Sequence, residues 1–310
     1  MLNFGKNKKK EKEVQAVTLR QSQQAILNEK TAFVIQEAYK TARTNIIFSV
    51  SGAVQNGCKV IAVTSANPGE GKTTSVINLA ITFAQTGAKV LLIDGDLRKP
   101  RIHQYLGVVK NNGLSTVLSK QMRFDEAVFR DIRTGLDLLT SGSIPPNPAE
   151  LLSSLAMGDL IDTLKQKYDY IFIDTPPVTV VTDAAALSKF VDGLVMIVRE
   201  GYTNHESIEH AINLLNIAEA KVLGFFVNDV EAAGGGYSGY RSKGYGGYGK
   251  GYKYNYRYNY RYNYRYGGRE YGEKAEMSPE QTNAVQNLKP NPEFNSENAA
   301  AENADNSQNV

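Results

Sequence analysis

The sequence predicts an α/β protein with a doubly wound, mainly parallel sheet. Three observations carry that expectation: an apolar run that passes through a glycine-rich loop into a helix between Val60 and Ala80, two further apolar runs that end on acids at Asp94 and Asp174, and helical segments that alternate with such runs as far as Asn228.

The first unit is the most informative. Val60-Ile61-Ala62-Val63 reads as a strand, Ser65 to Thr74 (S-A-N-P-G-E-G-K-T-T) as a loop, and Val76-Ile77-Asn78-Leu79-Ala80 as a helix. Gly69 and Gly71 permit the turns that aim successive backbone N–H groups inward, and the helix start adds its positive dipole end. The loop matches G-x-x-x-x-G-K-[ST], with Ala66 at the first glycine position. Ala66, Asn67, Pro68, Gly69, Glu70, Gly71, Lys72, Thr73 and Thr74 are therefore the expected ATP-binding residues. Lys72 supplies a point charge for the β and γ phosphates, and the Thr73 hydroxyl is placed to ligate Mg²⁺.

The remaining elements follow in order. Between Asn28 and Val50, Phe33, Val34, Ala38, Ala42, Ile46, Ile47 and Val50 recur at three- and four-residue steps, which predicts an amphipathic helix with Glu37, Lys40 and Arg43 on its polar face. Gly87 ends the helix after the phosphate loop, and Lys89 to Ile93 is a buried strand running into Asp94-Gly95-Asp96-Leu97-Arg98-Lys99-Pro100. Acids and cations at the carboxyl end of a parallel strand lie where open α/β sheets bind ligands. Asn112 to Phe129 reads as a peripheral helix, Leu136 to Thr140 as a strand, and Ala149 to about Lys167 as a helix. Tyr170-Ile171-Phe172-Ile173-Asp174 is a strand ending on an acid that helps hold Mg²⁺ in phosphate-loop proteins. Strands at Gly193 to Val198 and Val222 to Asn228, with helices at Thr182 to Phe190 and Thr203 to Ala218, complete the alternation.

Composition divides the 310 residues into one domain with tails, and a hydrophobic content of 42% suffices for its core. The expected segments are a basic arm (1–27), the domain (28–230), a Tyr/Gly/Arg-rich segment (231–272) and a disordered Asn/Glu-rich end (273–310). A single cysteine, Cys58, fits a reducing compartment. The opening residues lack a signal-peptide core and no run approaches a membrane span, so a cytoplasmic protein is expected. Lys6, Lys8, Lys9, Lys10 and Lys12 either touch anionic lipid or form a solvated terminus. His103, His205 and His210 show no metal-ligand spacing.

Thirteen of the 18 tyrosines fall between Tyr237 and Tyr271, namely Tyr237, Tyr240, Tyr245, Tyr248, Tyr252, Tyr254, Tyr256, Tyr258, Tyr260, Tyr262, Tyr264, Tyr266 and Tyr271. No packing requirement produces such a cluster. Alternating aromatic and Asn/Arg residues are compatible with self-association or RNA stacking, or with serving as acceptors for a neighbouring phosphoryl-transfer site.

The phosphate loop, the Asp94-Gly95-Asp96-Leu97-Arg98 strand end, the Asp174 strand end and the tyrosine cluster together resemble the bacterial tyrosine kinases. These are phosphate-loop autokinases that work with polysaccharide co-polymerase membrane proteins in capsule and exopolysaccharide production. The chain is similar to their separate Gram-positive cytoplasmic subunit, from about Thr31 to Val230 and in the character of its tail. The resemblance implies a D-x-D-x-R motif at Asp94, Asp96 and Arg98, with Asp94 as the candidate to orient the tyrosine hydroxyl and take its proton. Asp96 and Asp174 would stand around the Mg²⁺ waters, though the roles of Asp94 and Asp96 are interchangeable. It also implies a self-association helix through Glu37, Lys40 and Arg43, with Lys40 where an arginine is usual, and adenine contact by Asn228. The tail tyrosines become phosphate acceptors, and the expected partners are a transmembrane co-polymerase that anchors and activates the chain, further copies in a ring, and a cognate protein-tyrosine phosphatase. Nucleic acid is not expected as a partner. The broader relatives are partitioning ATPases, which carry an extra lysine where this chain has Asn67; a nucleotide-switched assembly protein of that type, or an inactive scaffold, is the competing reading.

Overall fold

Short apolar runs that alternate inward and outward residues can be buried on both faces only if helices cover both sides of the sheet. The computed structural model describes Leu19 and residues 22–50, 57–110 and 112–230. Its helices and strands run α1 (Phe33–Val50), β1 (Lys59–Ser65), α2 (Lys72–Ala84), β2 (Val90–Asp94), α3 (Ile102–Leu106), α4 (Leu114–Leu118), α5 (Phe124–Ala127) and β3 (Phe129–Arg133). They continue with β4 (Leu136–Leu139), α6 (Pro148–Leu152), α7 (Leu155–Leu164), β5 (Tyr170–Asp174), α8 (Asp183–Leu187), β6 (Gly193–Arg199), α9 (His205–Ile217) and β7 (Val222–Asn228).

The sheet order is β3-β4-β2-β5-β1-β6-β7, and every neighbouring pair is parallel except β3–β4. The period of two decides which layer each residue joins. On β1, Val60 and Ala62 belong to the apolar cluster that includes α4 to α9, whereas Ile61 and Val63 belong to the cluster formed with α1, α2 and α3. In the second cluster the ring of Phe83 meets Tyr170 and Phe172 edge-on, with centroids 4.6 and 4.9 Å away. Such a fully buried ring stabilises a core by roughly 3–5 kcal/mol against truncation to alanine.

Several boundaries differ from the sequence expectation. The segment Asn112 to Phe129 is not one helix: it breaks into α4 and α5, with Lys120 between them in a left-handed conformation (φ 59°), and Phe129 opens the antiparallel edge strand β3. The strand reads F-R-D-I-R, mostly exposed, so its apolar pattern is too weak to announce it. The helix expected from Ala149 to Lys167 is two, because Ser154 adopts an extended conformation and its side chain caps α7 by accepting from the Met157 N–H. The five-residue α3 was not anticipated.

At the start, α1 begins at Phe33 rather than Asn28, whose side chain accepts from the Lys30 N–H in a turn. Phe33 and Val34, read as part of the helix's apolar face, are exposed; Tyr39, Ile46 and Val50 are its buried residues. The folded unit also reaches back into the arm. Ile26 and Leu27 are buried, the Leu27 N–H donates to Asn78 Oδ1 at 2.8 Å, and Asn78 Nδ2 donates to the Ala25 carbonyl. Lys6 to Lys12, the tyrosine cluster and the Asn/Glu-rich end lie outside the described residues. No helix among the described residues is long and apolar enough to cross a membrane.

Candidate active site

The loop between β1 and α2 takes its shape from two left-handed glycines, Gly69 (φ 85°) and Gly71 (φ 89°). At Gly71 a side chain is excluded twice, by the backbone angle and by the Asn228 amide that occupies the space a Cβ would need. Asn228 Nδ2 donates to the Glu70 carbonyl at 3.0 Å, and Ser65 Oγ donates to the Asn67 carbonyl at 2.9 Å, so the loop is held from both sides. Ala66 is fully buried at its base, and Thr74 sits half-buried in the first turn of α2. Asn67 Nδ2 donates to Glu70 Oε1 at 3.1 Å, within the loop itself.

Three carboxylates meet this loop. Parallel pairing of β2 with β5 sets Asp94 opposite Asp174 in register. The strands can lie that close because the next residue is Gly95, where a Cβ would stand 2.7 Å from the Asp174 carbonyl oxygen. Asp174 Oδ2 accepts from Thr73 Oγ1 at 2.7 Å, and Lys72 Nζ lies 3.5 Å from Asp96 Oδ2. Asp96 Oδ1 accepts from the backbone N–H groups of Lys99 (2.9 Å) and Arg98 (3.3 Å), which fixes the turn after β2.

Charge here is out of balance: three acids face one lysine. Burial, then the neighbouring Asp174 and Asp96, raise Asp94 well above the usual carboxylate range. Burial likewise pushes Asp174 up to about 6, against the opposing pull of Lys72 and the Thr73 hydrogen bond. Asp94 Oδ1 and Asp174 Oδ1 are buried and have no hydrogen-bond partner. Unpartnered carboxylate oxygens in a region of excess negative charge are what a divalent cation would satisfy. Among the described residues no three His, Cys, Asp or Glu side chains converge as an all-protein metal cage. Mg²⁺ does not need one, since it keeps several waters and takes one or two carboxylates together with substrate phosphates. Asp174, whose Oδ1 is unpartnered, and the Thr73 hydroxyl bonded to it fit that ion beside a triphosphate; Asp96, expected to join them, has its oxygens engaged by Lys72 and by the Arg98 and Lys99 N–H groups.

Comparison with known proteins places the chain in a family. The family described as AAA domain matches residues 58–222. Tyrosine-protein kinase YwqD of Bacillus subtilis (strain 168) is 45% identical over 192 residues, 62% of this chain and 80% of the relative. Tyrosine-protein kinase CpsD of Streptococcus pneumoniae serotype 4 is 38% identical over 212 residues, 66% of this chain and 90% of the relative. The chain belongs to the bacterial tyrosine-protein kinases. Among solved structures, the chimerical protein CapA2B2 superposes with a TM-score of 0.62 at 38% identity, covering 66% of this chain and 88% of that one.

In this kinase the other residues singled out in the sequence are placed as follows. Asp94 is fully enclosed, so in this conformation a phenol ring does not reach it; Asp96 retains 5% exposure. The Asp94 Oδ2 atom accepts from the Ile102 N–H at 3.3 Å. Arg98 points away from the loop toward α8: its Nε and Nη2 donate to the two oxygens of Asp183, each at 3.0 Å, and Asp183 is fully buried. Glu37 and Lys40 pair with each other at 2.7 Å, and Arg43 Nη1 donates to the Thr82 carbonyl in the last turn of α2. Sequence reasoning missed Asp183, the Glu70 side chain and the turn at Tyr202–Thr203. Glu70 is fully buried and its Oε1 accepts from Thr203 Oγ1 at 2.8 Å. A glutamate inside a glycine-rich loop was the available signal, because burying it requires partners from elsewhere in the chain.

Proposed function

We propose that this kinase binds ATP with Mg²⁺ at the β1–α2 loop and transfers the terminal phosphoryl group to its own tyrosines between Tyr237 and Tyr271. The observation that carries the reading is the pair of orphaned buried oxygens, Asp94 Oδ1 and Asp174 Oδ1, beside Thr73 and within electrostatic reach of Lys72. When bound, Mg²⁺ offsets charge on the phosphates. Phosphoryl transfer otherwise asks the protein to position groups and neutralise charge. Backbone N–H groups from Gly69 to Thr74 would cradle the phosphates, Lys72, now beside Asp96, would turn to the transferred group, and the Thr73 hydroxyl would help hold the metal with Asp174 and Asp96. Arg98 acts through Asp183, by holding the turn that carries Asp96.

Asp94 is our candidate for the proton acceptor, because burial among like charges makes it the more basic carboxylate once ionised. A phenol reaches it only if the turn from Gly95 to Arg101 opens. Should that turn stay shut, Asp96 takes the role; comparing Asp94→Asn with Asp96→Asn under single-turnover conditions separates the two. Asn228 holds the loop through its amide nitrogen, and its oxygen would be left for the adenine contact.

The acceptor segment has eight Lys or Arg and one Glu, a charge of +7, so roughly four phosphotyrosines at about −1.5 to −2 each would cancel it. Copies joined in a ring through Glu37, Lys40 and Arg43 would present tails to neighbouring sites and separate as the tails become anionic. A transmembrane polysaccharide co-polymerase would hold the kinase at the inner face of the membrane and complete the nucleotide site. A protein-tyrosine phosphatase would reset it, and the cycle would regulate capsule or exopolysaccharide polymerisation and export.

The test is to incubate the full chain with Mg-ATP and the cytoplasmic segment of its co-polymerase, then map phosphate by mass spectrometry. Phosphotyrosine in Tyr237 to Tyr271 that is lost in Lys72→Ala is the expected result, with a fall in particle mass by light scattering. ATP hydrolysis with an unmodified tail would favour the partitioning-type assembly protein instead.

A further inference from the structure

We propose that Tyr202 is a second phosphorylation site, one that shuts the nucleotide site when modified; the inference rests on the tyrosine-kinase reading. Tyr39 and Tyr168 are buried and Tyr105 and Tyr170 half-buried, which leaves Tyr202, at 54% exposure, as the one exposed tyrosine among the described residues. It is not a free surface ring. Its hydroxyl donates to the Pro68 carbonyl at 3.1 Å and lies 3.9 Å from where a Cβ on Gly69 would be, so it rests against the phosphate loop from outside.

The turn that carries Tyr202 props that loop at three points. Beside the Tyr202 contact, Thr203 Oγ1 donates to Glu70 Oε1 at 2.8 Å while accepting from the Arg199 N–H at 2.8 Å. The Glu200 N–H donates to the carbonyl of Asn228, whose side chain holds the Glu70 carbonyl. Arg199 closes the group: its guanidinium carbon sits 5.5 Å from the Tyr202 ring centroid, and its nitrogens pair with Asp229 at 2.7 and 2.8 Å.

In the transfer, the bond from the γ phosphorus to the bridging oxygen of ATP breaks and a bond from phosphorus to Tyr202 Oη forms. The phenolic proton passes to a carboxylate of the donating site and ADP leaves. The donor is a second copy, because the loop Tyr202 touches is its own. The product carries about −1.5 to −2 charge against a loop built for anions, and that charge, rather than the lost hydrogen bond to Pro68, is what shuts the site. It therefore opposes the incoming triphosphate and competes with Asp229 for Arg199, loosening the strand end that positions Asn228.

Two measurements decide this. In a digest of full-length chain whose tail carries phosphotyrosine, the tryptic peptide Glu200 to Lys221 contains Tyr202 as its one tyrosine. Phosphate on that peptide is expected; a bare peptide beside phosphorylated tail peptides overturns the assignment. If the tail is bare as well, the kinase reading fails, and the switch is still judged by binding of a fluorescent ADP analogue with Mg²⁺. Tyr202→Glu should weaken that binding about tenfold or more at low salt and less at high salt, as a through-space charge effect requires, while Tyr202→Phe stays within about threefold. Wild-type affinity in Tyr202→Glu, or an equal loss in Tyr202→Phe that salt does not alter, overturns the proposal.

Discussion

Two groups of charged side chains in this molecule invite comparison. One lies at the carboxyl ends of β1, β2 and β5; the other joins β4 to the residues around α5 and the end of α7. In the second, Arg130 pairs with Asp125 at 2.7 Å and Asp137 at 2.9 Å, Lys167 approaches Asp125 at 3.2 Å, and the Tyr168 hydroxyl donates to Asp137 at 2.6 Å. Two acids meet two cations, and both acids are partly exposed. At the first, three acids meet one lysine, all are nearly sealed from solvent, and two oxygens lack partners. A structural network balances its charge, whereas the proposed site for a cation and a polyphosphate would stay incomplete until they arrive.

The comparison can be broken most severely at the lysines. Lys72→Ala should reduce tail phosphorylation on the order of a hundredfold or more in a single-turnover assay, because it removes the protein charge that offsets the transferred group. Lys167→Ala, in the balanced network, should leave that rate unchanged.

The acids should differ in sign. Asp174→Asn, measured by melting without nucleotide at pH 7, should stabilise the chain by about 1–2 kcal/mol, since it removes a charge that burial, and to a lesser extent the neighbouring Asp96, disfavours. Asp137→Asn should destabilise it by about 1–3 kcal/mol, because Arg130, Tyr168 and the Asp131 N–H lose a charged acceptor.

A smaller effect follows from pH. Asp174 binds its proton up to about 6 in the folded chain and only to its ordinary value of 3.8 when unfolded. Between those values the folded state holds more protons, so its contribution to stability falls as pH rises through the window and is flat above it. Magnesium-dependent ADP binding should strengthen over the same interval, because the ion requires the ionised carboxylate. Thermal melting without nucleotide from about pH 4 to 7.5 checks the first direction, and titration calorimetry with Mg-ADP over the same range checks the second. The smallest effect should come from the exposed Arg123–Glu126 pair: Arg123→Ala should change stability by less than about 0.5 kcal/mol.

What the sequence revealed of these two groups differed for a physical reason. Lys72, Thr73, Asp94, Asp96 and Asp174 were legible because phosphate binding demands fixed spacing after a strand, and buried parallel strands announce themselves as unbroken apolar runs. The two-helix break at Ser154 and the edge strand from Phe129 were not, since polar and mostly exposed segments carry little periodicity. Nor was the commitment of Arg98 to Asp183, 85 residues away, or of Glu70 to Thr203, 133 away. Such contacts are set by which loops the completed sheet brings together, and no local pattern encodes them. The exposed Phe33 and Val34 show the converse: a helical period records which residues share a face, and says nothing about what covers it.

Thermal melting of the wild-type and Asp174→Asn chains, each with and without Mg-ADP, tests the reading of the incomplete site most directly. The wild type should melt lower than the variant when bare and rise by several degrees with Mg-ADP, while the variant hardly responds. A bare variant that melts below the wild type and still gains the full increment from Mg-ADP would mean that Asp174 is a structural acid and that the metal sits elsewhere.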